Sequence, residues 1–195
     1  MKNSVFENYR SQLAIHLENK KFTSNQRNKV PIDIPKFCAT ACEKADILAI
    51  LQNPDKSGAE ATRVCSLLNG DDTSKNQNDI LLEAKVSRSR VVFWNFYGAF
   101  GSYENAIDKS LDQQFWADRF TELINLLENV KVVVVCGNVA WSGLRYFRPS
   151  KGRVIQFISA PHPSKRGLLP PGNKERAISA WSSAKELVSL DETFT

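Results

Sequence analysis

The chain has 195 residues, enough for one domain with a single sizeable core. Its 42% hydrophobic and 24% charged content excludes collagen-like, low-complexity and disordered classes. No apolar run approaches the roughly 20 residues that a bilayer span needs, and the first ten residues contain no apolar signal core, so the expectation is a cytoplasmic protein, neither secreted nor membrane-bound.

Apolar spacing over residues 4–20 predicts an amphipathic helix that contains His16, read as structural. Val30-Pro-Ile-Asp-Ile-Pro35 reads as an extended connector, because each proline pushes its predecessor out of the helical region. Residues 1–45 are therefore expected to form an N-terminal helix and connector, and 46–195 an α/β domain, the two in one compact unit. Compact, β-branched runs predict strands at 47–51, 91–96 and 132–136, with a shorter fourth at 154–158. Their apolarity is continuous rather than alternating, as in parallel sheets covered by helices on both faces. Helices are predicted at 104–129, where Leu111, Phe115, Phe120, Leu123, Ile124 and Leu127 fall on helical spacing, and at 173–190, with Asn173 as its N-cap. The fold expected is α/β, three layers (α/β/α) around a central four-stranded, mainly parallel sheet.

The four cysteines, Cys38, Cys42, Cys65 and Cys136, read as buried small hydrophobes. No metal site is expected. The net charge of +5 is unevenly spread: residues 139–176 hold eight basic side chains (Arg145, Arg148, Lys151, Arg153, Lys165, Arg166, Lys174, Arg176) against Glu175 alone. Such a stretch suits a polyanion such as a nucleic-acid backbone.

Ligands of parallel α/β sheets bind beyond the carboxyl ends of the strands, so the residues following each strand carry the functional reading. The first strand is followed by Gln52-Asn53-Pro54-Asp55-Lys56-Ser57-Gly58, the second ends in Asn95-Phe96-Tyr97-Gly98, and the third in Gly137-Asn138-Val139-Ala140-Trp141. Ala160-Pro161-His162-Pro163-Ser164-Lys165-Arg166 follows the fourth.

From about residue 46 to 181 this ordered set resembles the uracil-DNA glycosylase superfamily. Gln52-Asn53-Pro54 is similar to its first motif, with Leu51 in place of a glycine, and the Asn form is similar to the mismatch-specific and single-strand-selective branches. Asn95 falls where the family reads the edge of the flipped base, and His162-Pro163-Ser164 falls on its last motif, whose His stabilises the leaving base. The resemblance implies a monofunctional DNA glycosylase, a monomer without cofactor, acting on DNA. Asn53 and His162 would be catalytic, with Asp55 as a candidate carboxylate. Asn95, Gln52 and Tyr97 would recognise the base. Ser57, Ser142, Ser164, Lys165, Arg166 and Leu168 would hold phosphates or wedge the duplex, with Leu169 beside Leu168.

The residue types suit the chemistry. Breaking an N-glycosidic bond leaves negative charge on the base, which a neutral imidazole can stabilise as a donor. An amide such as Asn95 offers a donor and an acceptor to a base edge. The target must be flipped from the stack to be reached. The chain departs from the family where Cys65-Ser66 replaces the ring that stacks on the flipped base, leaving Phe96, Tyr97 or Phe100 as substitutes, and where Lys165 follows His-Pro-Ser. The segment 69–78 reads as a polar insertion at the rim. These departures shift the expected substrate from plain uracil to a deaminated, mismatched or modified pyrimidine. Two alternatives share the fold: a non-catalytic binder of unusual bases or single-stranded DNA, and an enzyme that excises bulky modified cytosines from viral DNA in host defence. A nucleotide-processing enzyme is disfavoured, because the turn at 136–143 lacks the lysine and spacing of a phosphate loop.

Overall fold

The computed structural model describes residues 3–19, 36–37, 45–52, 58–98, 109–148 and 152–190. Its centre is a four-stranded sheet made of β2 (Ile47–Leu51), β4 (Val91–Asn95), β5 (Val132–Cys136) and β6 (Gln156–Ala160). The order is β4-β2-β5-β6 and every pairing is parallel. The predicted continuous apolar runs form β2 and β5 with the expected bounds. The last strand begins two residues later than its sequence suggests. Among the described residues β6 is an edge strand paired with β5 alone, and the register of that pairing sets its bounds, with Val132 opposite Gln156. A second sheet, unexpected from the sequence, pairs β1 (Lys36–Phe37) with β3 (Val64–Cys65).

Residues of each strand alternate between two cores. Leu48, Ile50, Val92, Trp94, Val133 and Val135 pack on one face beneath α1 (Asn3–Asn19), α4 (Lys109–Leu126) and α5 (Asn138–Gly143). Ile47, Ala49, Val91, Phe93, Val132 and Val134 pack on the other beneath α3 (Asp72–Glu83) and α7 (Asn173–Leu190). The N-terminal helix shares the first core: Tyr9 and Leu13 are buried, and the Tyr9 hydroxyl donates to the Arg119 carbonyl at 3.1 Å. Of the predicted helix at 104–129, residues 104–108 lie outside the described residues, as does the connector at 30–35. Asn173 begins α7 from inside the helix rather than as its cap, and its side-chain N–H donates to the Gly167 carbonyl at 2.7 Å.

The polar segment 69–78 leads into α3, which begins at Asp72. Asp71 caps α3 by accepting the Ser74 N–H at 2.9 Å, which satisfies one orphan donor of the first turn. Ser74, Gln77, Ile80, Leu81 and Ala84 then form the buried side of α3 and its C-cap. The short elements α2 (Ala59–Thr62) and α6 (Lys165–Leu168) complete the carboxyl rim. Among the described residues no helix is long and apolar enough to cross a membrane.

Candidate active site

Because all four strands run the same way, their carboxyl ends meet along one rim. A cavity of about 90 Å³ lies there, on the α3 face. One wall is the ends of β2 and β4 (Leu51, Phe93, Trp94, Asn95), a second is the segment from Cys65 through α3, and His162 closes a third side. The volume exceeds that needed for a single buried water, about one probe sphere of 10–15 Å³, several-fold.

His162 follows β6 and is fixed from several directions. Its Nδ1 accepts the backbone N–H of Ser164 at 3.1 Å, so the proton of the neutral ring resides on Nε2. Burial lowers its pKa below the usual imidazole value, which keeps the ring neutral at physiological pH. Two glycines make room for it. Gly137 has a φ of 92°, and a Cβ there would come within 3.1 Å of the His162 Cβ. A Cβ on Gly167 would collide with the His162 carbonyl. The loop is tied to α3 by Asn76, whose side-chain N–H donates to the Pro163 carbonyl at 2.9 Å.

Asn95, the last residue of β4, is buried and donates from Nδ2 to the Cys65 sulfur at 3.2 Å. Burial pushes the Cys65 thiol up to about 12, so it stays protonated and the sulfur acts as an acceptor. Burial raises Cys136 equally, and it lies in the α3-face core. Cys38 and Cys42 lie outside the described residues. Among the described residues no group of three or more His, Cys, Asp or Glu side chains is placed to hold a metal ion.

Of the residues singled out by sequence, Asn95 and His162 meet in this cavity. Asn53, Asp55, Ser57 and Phe100 lie outside the described residues, as does the side chain of His16. Gln52 continues β2 and its carbonyl accepts the Tyr97 N–H at 2.9 Å, but it is outside the cavity lining. Tyr97 is not a base-reading residue of this cavity: it packs into the opposite core, edge-on to Trp116 and Phe96. β4 ends at Asn95, so the strand alternation that would keep Tyr97 on Asn95's face stops there. Phe96 joins the same core; the aromatic residues beside the cavity are Phe93 and Trp94, and the Trp94 ring packs in the opposite core against Tyr9.

Ser142 donates its hydroxyl to the Val139 carbonyl, and Ser164 accepts the Gly167 N–H as the cap of α6. Lys165 and Arg166 are exposed on α6. Leu168 is half-buried against the α3-face core, so the exposed member of the pair is Leu169, at 71%. Trp141 stands half-exposed on α5, outside the cavity.

The basic stretch is also thinner than its count. The Arg153 guanidinium donates to the carbonyls of Ile124, Leu127, Glu128 and Val130, closing the end of α4. Lys174 pairs with Glu83 at 2.6 Å. Lys151 lies outside the described residues.

Sequence reading set 69–78 at the rim but did not foresee that its helix lines the cavity. Asn69, Asp71, Thr73, Ser74 and Gln77 all line the cavity. The available signal was an Asp cap followed by Ser74, Gln77 and Leu81 at the spacing of one helical face. No protein-family model matches the chain, and no curated protein matches it.

Proposed function

We propose that this chain is a DNA glycosylase that flips out a deaminated, mismatched or modified pyrimidine and hydrolyses its N-glycosidic bond. The observation that carries the reading is the meeting of Asn95 and a neutral His162 at one cavity beyond the carboxyl ends of β4 and β6. As the C1′–N bond breaks, its electron pair goes to the base and the sugar becomes cation-like. Water then adds to C1′ and gives up a proton, so that an abasic site and the free base are released. The His162 Nε2–H is suited to donate to the base oxygen on which the negative charge develops. A preorganised donor of this kind is worth about 10²–10³ in rate. Asn95, anchored by Cys65, offers its amide to the base edge. Asn53 and Asp55 are the candidates for holding the attacking water.

The duplex side of the reading rests on α6. Lys165 and Arg166 are exposed two and three residues beyond Pro163, where they can meet backbone phosphates. Leu169, rather than Leu168, is the side chain free to fill the vacated stack.

The test is an oligonucleotide assay. The chain is incubated with single strands and duplexes carrying uracil, mismatched thymine or modified cytosines, and alkali then cleaves any abasic site. An alkali-labile break at one of these bases is expected. Salt-sensitive binding with no break on any substrate would replace the enzyme by the non-catalytic binder.

A further inference from the structure

Three of the four tryptophans are core residues: Trp94 and Trp116 are 2% exposed and Trp181 is 1% exposed. Trp141 is 44% exposed. The difference follows from the short helix that carries it. Ala140 and Gly143 are buried, and Val139 and Leu144 pack against the core beneath α1 and α4, so one side of α5 and of the turn after it (Leu144–Tyr146) is taken up by packing. Asn138, Trp141 and Arg145 are exposed, three and then four residues apart, which is the spacing of the other helix side. Arg148 is exposed just beyond. Its guanidinium folds back to donate to the Phe147 carbonyl at 2.9 Å and the Arg145 carbonyl at 3.3 Å, which sets its charge at the end of the same stripe.

The stripe has a fixed place relative to the cavity. The Trp141 N–H donates to the Gly137 carbonyl at 3.2 Å, one turn from the glycine where a Cβ would come within 3.1 Å of the His162 Cβ. It therefore starts at the His162 rim and runs away from it. No Asp or Glu occurs between Glu128 and Glu175, so this stretch of chain brings no carboxylate to oppose an anion. A ring beside cations suits an unpaired nucleic-acid strand, whose bases stack on the ring while its phosphates meet the charges. The core of a protein interface is instead depleted of charge around its aromatic residues, whereas the exposed neighbours of Trp141 are Asn138 and Arg145. We propose that Trp141, with Arg145 and Arg148, is a stacking platform for a base of single-stranded nucleic acid and holds the strand beside the rim. Paired bases already stack on their neighbours, so the platform favours an unpaired base. Such binding breaks no glycosidic bond and is measured apart from excision.

The burial of the other three tryptophans makes intrinsic fluorescence a reporter of Trp141. The full chain is titrated with a single-stranded oligothymidylate and with a duplex of equal length, at matched ionic strength. The single strand should quench the emission and shield it from iodide, and the duplex should do neither. Trp141→Ala should weaken binding of the single strand at least about fivefold, the lower end of what one base stacked on an aromatic side chain contributes, and leave the melting temperature unchanged. Trp141→Phe should restore most of the loss, and Arg145→Gln should reduce the salt slope by about one. Emission that a saturating strand does not move, binding that Trp141→Ala leaves intact, or equal effects with the duplex overturn the proposal. Shielding from iodide that rises with protein concentration alone assigns the face to a second copy and also overturns it. Excision with an unresponsive Trp141 removes the platform and leaves the glycosylase reading standing. Trp141-dependent binding without excision from any substrate does the reverse.

Discussion

The two faces of the sheet are built from alternate residues of the same strands, yet they do opposite things. The face under α1, α4 and α5 is filled with rings: Tyr9, Trp94, Phe96, Tyr97, Phe115, Trp116 and Phe120 are buried there, several in edge-on pairs. The face under α3 and α7 is aliphatic, with the Phe93–Trp181 pair as its rings, and at its carboxyl end it leaves a polar cavity. Rings bury the most area and interlock by geometry, so the first face is suited to holding the sheet rigid while the second keeps an unfilled space. In this arrangement rigidity comes from the face without the site.

The sharpest test of that division is Trp116→Ala. Trp116 is buried against Tyr97 and Phe115, and deleting such a ring costs about 3–5 kcal/mol. Urea unfolding should show that loss, while, on the glycosylase reading proposed above, excision per folded molecule stays near the unmodified rate. A rate that falls with the stability would mean that the two faces are not separable. The converse is His162→Ala, which should lower the excision rate about 10²–10³-fold with DNA affinity retained. An equal loss of affinity would make His162 a binding group instead.

Two glycines set the same contrast in smaller changes. A Cβ at Gly143, on α5, would run into the Phe96 ring, an overpacking of the ring-filled face worth about 1–3 kcal/mol. A Cβ at Gly167 would run into the His162 carbonyl and must displace backbone at the site. Gly143→Ala should therefore shift the unfolding midpoint with little effect on rate. Gly167→Ala should slow excision by up to about 10²-fold, as misplacement of a reacting group by about 1 Å does. Matching profiles for the two variants would erase the distinction.

What the sequence reveals follows the same division. The continuous runs of β2 and β5 are legible because strands buried on both faces must be apolar throughout. Asn95 and His162 are legible because the carboxyl ends of parallel strands are where polar residues gather. The start of β6 is not, since its register is fixed by β5 and its exposed Val154 looks like strand. Tyr97 misleads because its side depends on where β4 stops. Gln77 is hidden because a polar helix face reads as loop until a pocket is known to lie against it. Arg153 shows that a basic residue in a count can be spent on carbonyls, which charge alone does not reveal.

The smallest expected effect distinguishes the faces by acid. Burial lowers the His162 pKa below its ordinary 6.5, so between its folded value and about 6.5 the unfolded chain binds more protons than the folded one. Stability from this residue is then complete above about 6.5 and is lost as pH falls through that window, levelling off below the folded value. His16 is shared by any pair of variants that differ only at His162, so its contribution cancels. Urea midpoints measured at neutral pH and on the acid side should draw apart in the unmodified chain more than in His162→Gln, which cannot take up the proton. If both chains lose stability equally, the acid-sensitive group lies elsewhere, and His162 is not the neutral, desolvated donor that the cavity face requires.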